Sequence, residues 1–253
     1  MPEILEDLSA LGFQLTLITN GTKLTAHLVK RLGRLPLAIS VSLDTLDRAR
    51  YQSIRGADQL TQVFEGIALL KDFPHPKFLT CIVSEVNRAE VPAVVRFARE
   101  HGFLPVAGAY HWNVGTYGRP DELLMYDRAS AAAVFSGLLD DKLIPPGYLR
   151  TFVEDNVRWL RGQKLEPCDA GRYSMAIDDS GNVSPCLAFP SVGNLLDSSL
   201  SNILKQFDRE AITTCSDHSS CNRLDGRVVG TLLRHPIIAL RTARSFTSRG
   251  PRS

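Results

Sequence analysis

Residues 1 to about 112 alternate between two kinds of segment, and this alternation limits the fold more than any other feature of the chain. QLTLIT (14–19), LAISVSL (37–43), FLTCIVS (78–84) and VAGAYHW (106–112) are apolar or β-branched runs. Runs of such continuous apolarity suit strands covered on both faces. Helical patterns lie between them. Ile4, Leu5, Leu8 and Leu11 form one stripe, Leu60, Val63, Phe64, Ile67 and Leu70 a second, and Val91, Val94, Val95 and Ala98 a third. Gly12 and Gly102 stand where such helices stop. Strand–helix–strand order predicts an α/β fold with a parallel sheet, as a barrel or open. In either form ligands sit at the carboxyl ends of the strands. Those ends carry Thr19, Asn20 and Gly21, then Ser42, Leu43 and Asp44, then Ser84, then His111, Trp112 and Asn113. Singly, each group is ordinary turn or capping chemistry; together they line one rim. The chain opens on a helix and has four good strands, too few to close a barrel of the usual size.

The remaining chain reads differently. Residues 128–141 and 148–162 predict helices, and a boundary falls near Lys164. The organisation expected is an α/β part, barrel or open, over 1–125, a helical connection over 126–164, a cysteine domain over 165–225 and a basic helical tail over 226–253. Arg227, Arg234, Arg241, Arg244, Arg249 and Arg252 make that tail basic. It reads as a solvated helix with a frayed end; the alternative is a patch for an acidic partner or a membrane surface. Net charge is only +2, so no global field calls for nucleic acid. MPEILEDLSALG carries acids where a secretory leader would carry bases, and the most apolar late stretch is broken by Arg234, His235 and Pro236. The expectation is a cytoplasmic protein without a membrane span, with its thiols reduced.

Five cysteines in such a setting are ligands, catalysts or core filler rather than disulfides. Asp178, Asp179, Ser180 and Gly181 read as a turn between YSMAI and NVSPC. That hairpin returns Cys186 to about the level of Tyr173, near the loop holding Cys168. Cys215 and Cys221 follow in TTCSDHSSCNRL, which reads as a polar loop. Two pairs within the last third can converge on one metal centre, tetrahedral zinc or an iron–sulfur cluster, since both accept four thiolates. Spacing alone does not choose between them, although structural zinc favours C-x2-C and neither pair has it. Cys81 lies mid-strand among apolar neighbours and reads as core.

SVSLDTLDRARYQSIRGADQLTQVFEGIALLKD (40–72) resembles the fourth-strand region of radical S-adenosylmethionine enzymes, and ALGFQLTLITNGTKL (10–24) resembles their second helix and third strand. The C-x12-G-x4-C run from Cys168 through Gly181 to Cys186 resembles the start of their SPASM/twitch extension, and SVGNLLDSSLSNIL (191–204) follows it as in those proteins. The resemblance implies an incomplete (β/α)6 partial TIM barrel lacking its first strands, plus a small C-terminal hairpin-and-helix domain of twitch type. It implies reductive cleavage of S-adenosylmethionine at a [4Fe–4S] cluster and hydrogen abstraction from a substrate by the 5′-deoxyadenosyl radical. On this chain it places Thr19 and Asn20 beside the cofactor, Ser42 and Asp44 toward the ribose hydroxyls, and Arg55 toward the methionine carboxylate. An ion pair with a neighbour is an equally simple role for Arg55. His111, Trp112, Asn113, Tyr117 and Arg119 would overhang the pocket and meet a small-molecule or peptide substrate, or else form a loop packed by its own aromatics. An electron donor such as ferredoxin or flavodoxin is implied as partner.

The chain departs from that pattern twice. The family's middle group is C-x2-C-x5-C-x3-C; here Cys215 and Cys221 match, while Ile212 and Asp225 occupy the outer positions. Cys168, Cys186, Cys215 and Cys221 therefore suit one auxiliary [4Fe–4S] cluster. The C-x3-C-x2-C motif that ligates the catalytic cluster is absent, as is the glycine-rich segment that meets the methionine amine. Both are expected before residue 1, so a misplaced start codon, a fragment or a decayed gene is expected, and the polypeptide as written is expected to be catalytically silent or to need a partner that supplies the cluster. The alternatives are a non-catalytic binding module with a structural four-cysteine zinc or cluster site, and an ordinary aldolase-like enzyme without a metal.

Overall fold

The computed structural model describes residues 2–111 and 122–247. Its first half runs α1 (Pro2–Ala10), β1 (Leu15–Thr19), α2 (Ala26–Leu32), β2 (Leu37–Ser42), α3 (Arg48–Arg55), α4 (Leu60–Leu69), β3 (Lys77–Val83), α5 (Val91–Glu100) and β4 (Leu104–Ala109). The strands form one sheet in the order β1-β2-β3-β4. β1 runs parallel to β2 with Leu15 opposite Leu37, and β2 parallel to β3 with Ile39 opposite Lys77. The fold is thus mixed α/β with a parallel sheet, and every strand read from the sequence is present to within three residues at each end.

Two of the three helical stripes are core. Leu60, Val63 and Ile67 of α4 and Val91, Val94, Val95 and Ala98 of α5 are buried with Ile39, Val41, Leu79 and Val83 of the central strands. Each large apolar side chain so buried contributes roughly 1.5–3 kcal/mol. Cys81 belongs to this core, as its apolar neighbours indicated. The stripe on α1 behaves otherwise. No residue of α1 is buried, and Ile4 and Leu11 are exposed. What ties α1 down is Arg31 of α2, whose guanidinium pairs with Glu6 at 2.6 Å and Glu3 at 3.0 Å. Pairs that exposed to solvent and salt contribute little to stability. Gly12 and Gly102 adopt φ +87° and +76°, the left-handed conformation that ends a helix without a Cβ penalty.

The chain divides into two compact units, residues 1–108 with 136–145 and residues 109–135 with 146–253. The second unit contains most of α6 (Arg128–Asp140) and all of α7 (Tyr148–Leu160), the helices expected at 128–141 and 148–162. Then come β5 (Ala176–Ile177), β6 (Asn182–Ser184), β7 (Gly193–Asn194), α8 (Leu200–Leu204), α9 (Arg209–Asp217), α10 (Val228–Arg234) and α11 (Pro236–Thr247). β5 and β6 form the expected hairpin, Ala176 opposite Ser184 and Ile177 opposite Val183. Its turn is closed by Asp178, whose Oδ1 accepts from the amides of Ser180 at 2.9 Å and Asn182 at 2.8 Å, with Gly181 at φ +83°. β7, not read from the sequence, adds a third antiparallel strand of only two residues. Val183, Ile203, Phe207 and Ile212 form a small core beneath it.

Two readings of this half are corrected. Cys215 lies on α9, not in a polar loop: Asp208 caps that helix by accepting from the Ala211 amide at 2.9 Å, and Ile212 buries its inner face. The basic tail is not simply solvated, because Arg227 is buried and Arg234 is bonded to Asp169 and Glu166. Among the described residues no helix is long and apolar enough to cross a membrane.

Candidate functional site

The carboxyl ends of β1, β2 and β3 are shaped by local polar bonds. Thr19 closes β1 and its Oγ1 accepts from the Gly21 amide at 3.1 Å. Asn20 accepts through Oδ1 from the Thr22 amide at 3.2 Å and the Thr22 hydroxyl at 2.9 Å, an Asx turn. Gly21 is required here: at φ +80° a Cβ would lie 3.1 Å from Val41 Cγ1. α4 comes equally close, since a Cβ on Gly66 would fall 2.3 Å from the Gly21 carbonyl oxygen. Ser42 ends β2, and two residues on, Asp44 is almost fully buried. The Asp44 carboxylate accepts from the Ile82 amide at 2.8 Å and from Arg55 at 2.5 Å. Burial pushes its pKa up while Arg55 opposes that shift. Arg55 thus has the neighbouring partner that the sequence left open.

Asn87 is the residue of this rim that the sequence reading missed. It is fully buried, accepts from the Ser84 amide and donates to the carbonyls of Asp44 at 2.8 Å and Ile82 at 2.9 Å. One side chain therefore fixes the loops after β2 and β3 together. Its bonds to Ser84 and Ile82 are local, but the partner that makes it a tie, the Asp44 carbonyl, lies 43 residues away in the loop after β2.

His111 is half-buried. Its Nε2 lies 3.1 Å from the Asn222 carbonyl and its ring meets Trp159 edge-on at 4.6 Å. Burial pulls its pKa down to about 4, aided by Arg223 and Arg128 and opposed by the Asn222 bond and Asp225. Trp112, Asn113, Tyr117 and Arg119 lie outside the described residues.

The four late cysteines come together. Cys168, Cys186, Cys215 and Cys221 line one cavity, which Ile212, Arg223, Asp225 and Arg227 also line. Both outer positions of the incomplete cysteine pattern, 212 and 225, are therefore on the cavity wall. The Cys168 amide donates to Ser216 Oγ at 2.7 Å, and Cys168 Sγ lies 3.3 Å from the Gly226 carbonyl. Ala188 donates its amide to Cys186 Sγ at 3.3 Å. Burial raises the thiol pKa of Cys168 and Cys186, and raises Cys221 to about 12, with the Cys168 and Cys215 thiols adding to the last. Protein groups alone leave the Cys168, Cys186 and Cys221 thiols protonated at neutral pH; a metal's charge is what would make them thiolates. Among the described residues no three His, Cys, Asp or Glu side chains are close enough together to hold a single metal ion.

Residues 168–223 match the model of the SPASM family, an iron–sulfur cluster-binding domain. Chains of radical S-adenosylmethionine proteins share the fold. Streptococcus suis SuiB bound to precursor peptide SuiA superposes with TM-score 0.63 at 15% identity, over 82% of this chain and 51% of that one. anSMEcpe with bound AdoMet gives 0.58 at 16% identity, over 79% and 56%. The chain therefore carries a SPASM-type segment over residues 168–223 and shares the fold of these radical S-adenosylmethionine proteins. In sequence it is 39% identical over 90 residues to the GTP 3′,8-cyclase of Erythrobacter litoralis, spanning 35% of this chain and 27% of that enzyme. It is 37% identical over 98 residues to a probable GTP 3′,8-cyclase of Pyrococcus abyssi, spanning 38% and 32%. The chain thus matches about a third or less of these curated relatives. The SPASM match starts at Cys168 itself and takes in the hairpin, α8, α9 and Cys221.

Proposed function

We propose that this chain works in a radical S-adenosylmethionine oxidoreductase. Its α/β unit serves as part of a (β/α)6 barrel wall that binds the cofactor, and its SPASM domain holds one auxiliary [4Fe–4S] cluster on Cys168, Cys186, Cys215 and Cys221. The observation that carries this reading is the convergence of those cysteines, from separated segments, on one cavity inside the stretch that matches an iron–sulfur domain. Such a cluster, when bound, supplies electron transfer or a ligand site for substrate.

The chain's own residues have definable tasks. Arg55 gives one N–H to Asp44 and has others to offer a carboxylate such as that of methionine. Asp44, held by Ile82 and Arg55, presents a fixed acceptor near Ser42, which suits ribose hydroxyls. Thr19 and Asn20 shape the turn at the end of β1, where an adenosyl group would lie. SuiB and anSMEcpe have been seen with S-adenosylmethionine and with peptides, which favours a peptide substrate; the cyclase relatives favour a small molecule. Ferredoxin or flavodoxin in a cytoplasmic setting would supply electrons. Anaerobic reconstitution tests the reading: about four irons and four sulfides per chain are expected, falling on C168S or C221S substitution. Colourless, zinc-loaded protein would overturn it.

A second reading is a non-catalytic binding module, favoured by one observation: these 253 residues contain no C-x3-C-x2-C. On that reading the unmodified chain forms no 5′-deoxyadenosine from S-adenosylmethionine under reducing conditions. Turnover by this chain alone would eliminate it.

A further inference from the structure

Arg227 is 4% exposed, an unusual place for a guanidinium. One terminal nitrogen donates to the Glu166 carbonyl and the other to the Cys221 carbonyl at 3.2 Å. The remaining donor, Nε–H, is buried and has no acceptor among the described residues. A buried donor left unpaired costs about 1–3 kcal/mol, more on a charged group, so such a group calls for a partner. The same side chain lines the cavity bounded by the four cysteines. Arg223 lines it too, but its Nε is committed to Asp225 at 3.2 Å, which also engages the carboxylate on that wall. Apart from the Ser216 hydroxyl, which already accepts from the Cys168 amide at 2.7 Å, the other side-chain acceptors on the cavity are the cysteine sulfurs.

We infer that Arg227 donates its Nε–H to a sulfur of the auxiliary cluster and raises the cluster's reduction potential. This deepens the auxiliary-cluster reading and rests on it. A cluster held by four thiolates is negatively charged and becomes more so on gaining an electron. A buried cation at its edge therefore stabilises the reduced form more than the oxidised one, and an N–H···S bond acts in the same direction. Arg227 touches the backbone of both cysteine arms, so a scaffolding role alone would also place it here. The test must read the cluster's electronics as well as its presence.

The full chain is reconstituted anaerobically and its midpoint potential followed by EPR during a redox titration, beside R227K and R227Q. At equal iron content R227Q is expected to titrate at lower potential than the unaltered protein. R227K, which keeps the charge but lacks this donor geometry, is expected between them. An unchanged midpoint in fully loaded R227Q overturns the inference. The unaltered protein gives a second measurement that needs no stable variant at position 227. With 15N-arginine, the reduced cluster should show nitrogen hyperfine coupling in pulsed EPR, and the coupling should persist in R223K. No coupling, or coupling lost in R223K, overturns the inference. Unaltered protein that takes up no iron removes the auxiliary-cluster reading itself, a result distinct from either.

Discussion

Asp44 and His111 show how burial changes the chemistry of a titratable side chain. Asp44 is buried against one backbone amide and one guanidinium. Replacing it with alanine strands the Ile82 N–H and leaves Arg55 without its carboxylate. Because Arg55 is itself about one-third open to water, the loss belongs at the lower end of the range for broken buried pairs, about 2–3 kcal/mol. Urea unfolding of D44A should show that shift in midpoint, and a change under about 0.5 kcal/mol would mean that water already satisfies the site. His111 makes stability depend on pH. Its folded pKa, about 4, lies below the ordinary value of 6.5. The unfolded chain therefore binds the proton more readily, and stability is fully present above about pH 6.5 and lost as pH falls toward 4. The span sets an upper limit of about 3 kcal/mol. Unfolding of the second unit followed between pH 7 and 4 should weaken accordingly, and H111F should flatten the curve.

At the scale of elements, helices here are placed by glycine as much as by apolar stripes. α4 can approach the end of β1 only because position 66 has no side chain: a Cβ would lie 2.3 Å from the Gly21 oxygen, which is backbone and cannot step aside alone. In an exposed helix G66A would gain up to about 1 kcal/mol of propensity. Here it should instead lose about 2 kcal/mol or more through displaced backbone, read as a fall in urea midpoint. α10 docks by the same means. A Cβ on Gly230 would fall 1.6 Å from Asp169 Oδ2, and that carboxylate is held by Arg234 at 2.9 Å. The contact fixes the residue next to Cys168, so α10 is part of the cysteine cavity's frame rather than a loose tail. α1 is the contrary case, an amphipathic sequence held by ion pairs, with Ile4 exposed and Leu5 and Leu8 only half-buried.

At the scale of the whole molecule, the two compact units depend on different forces. The first has a continuous apolar core across β2, β3, α4 and α5. In the second, the cysteine region rests on a core of four buried residues and a hairpin of two- and three-residue strands. Cores that small seldom suffice without a metal or cross-link. Stripping iron from reconstituted protein should therefore accelerate amide exchange across residues 165–227 while leaving β2 and β3 protected, as hydrogen-exchange mass spectrometry would read. Equal protection with and without iron would show that the domain stands on its own packing. What the amino-acid order determined by itself was local and periodic: the four strands, the helices at 128–140 and 148–160, the Asp178–Gly181 turn and the concentration of thiols late in the chain. Each follows from spacing along a single segment. Tertiary structure alone decided that Cys215 rides on α9, that Asn87 ties two loops together, that Arg55 faces Asp44, and that Arg227 is buried with a spare donor beside four sulfurs. Each of these depends on a partner distant in the chain or on a cavity that no single segment encloses, and periodicity holds no record of which distant groups will meet.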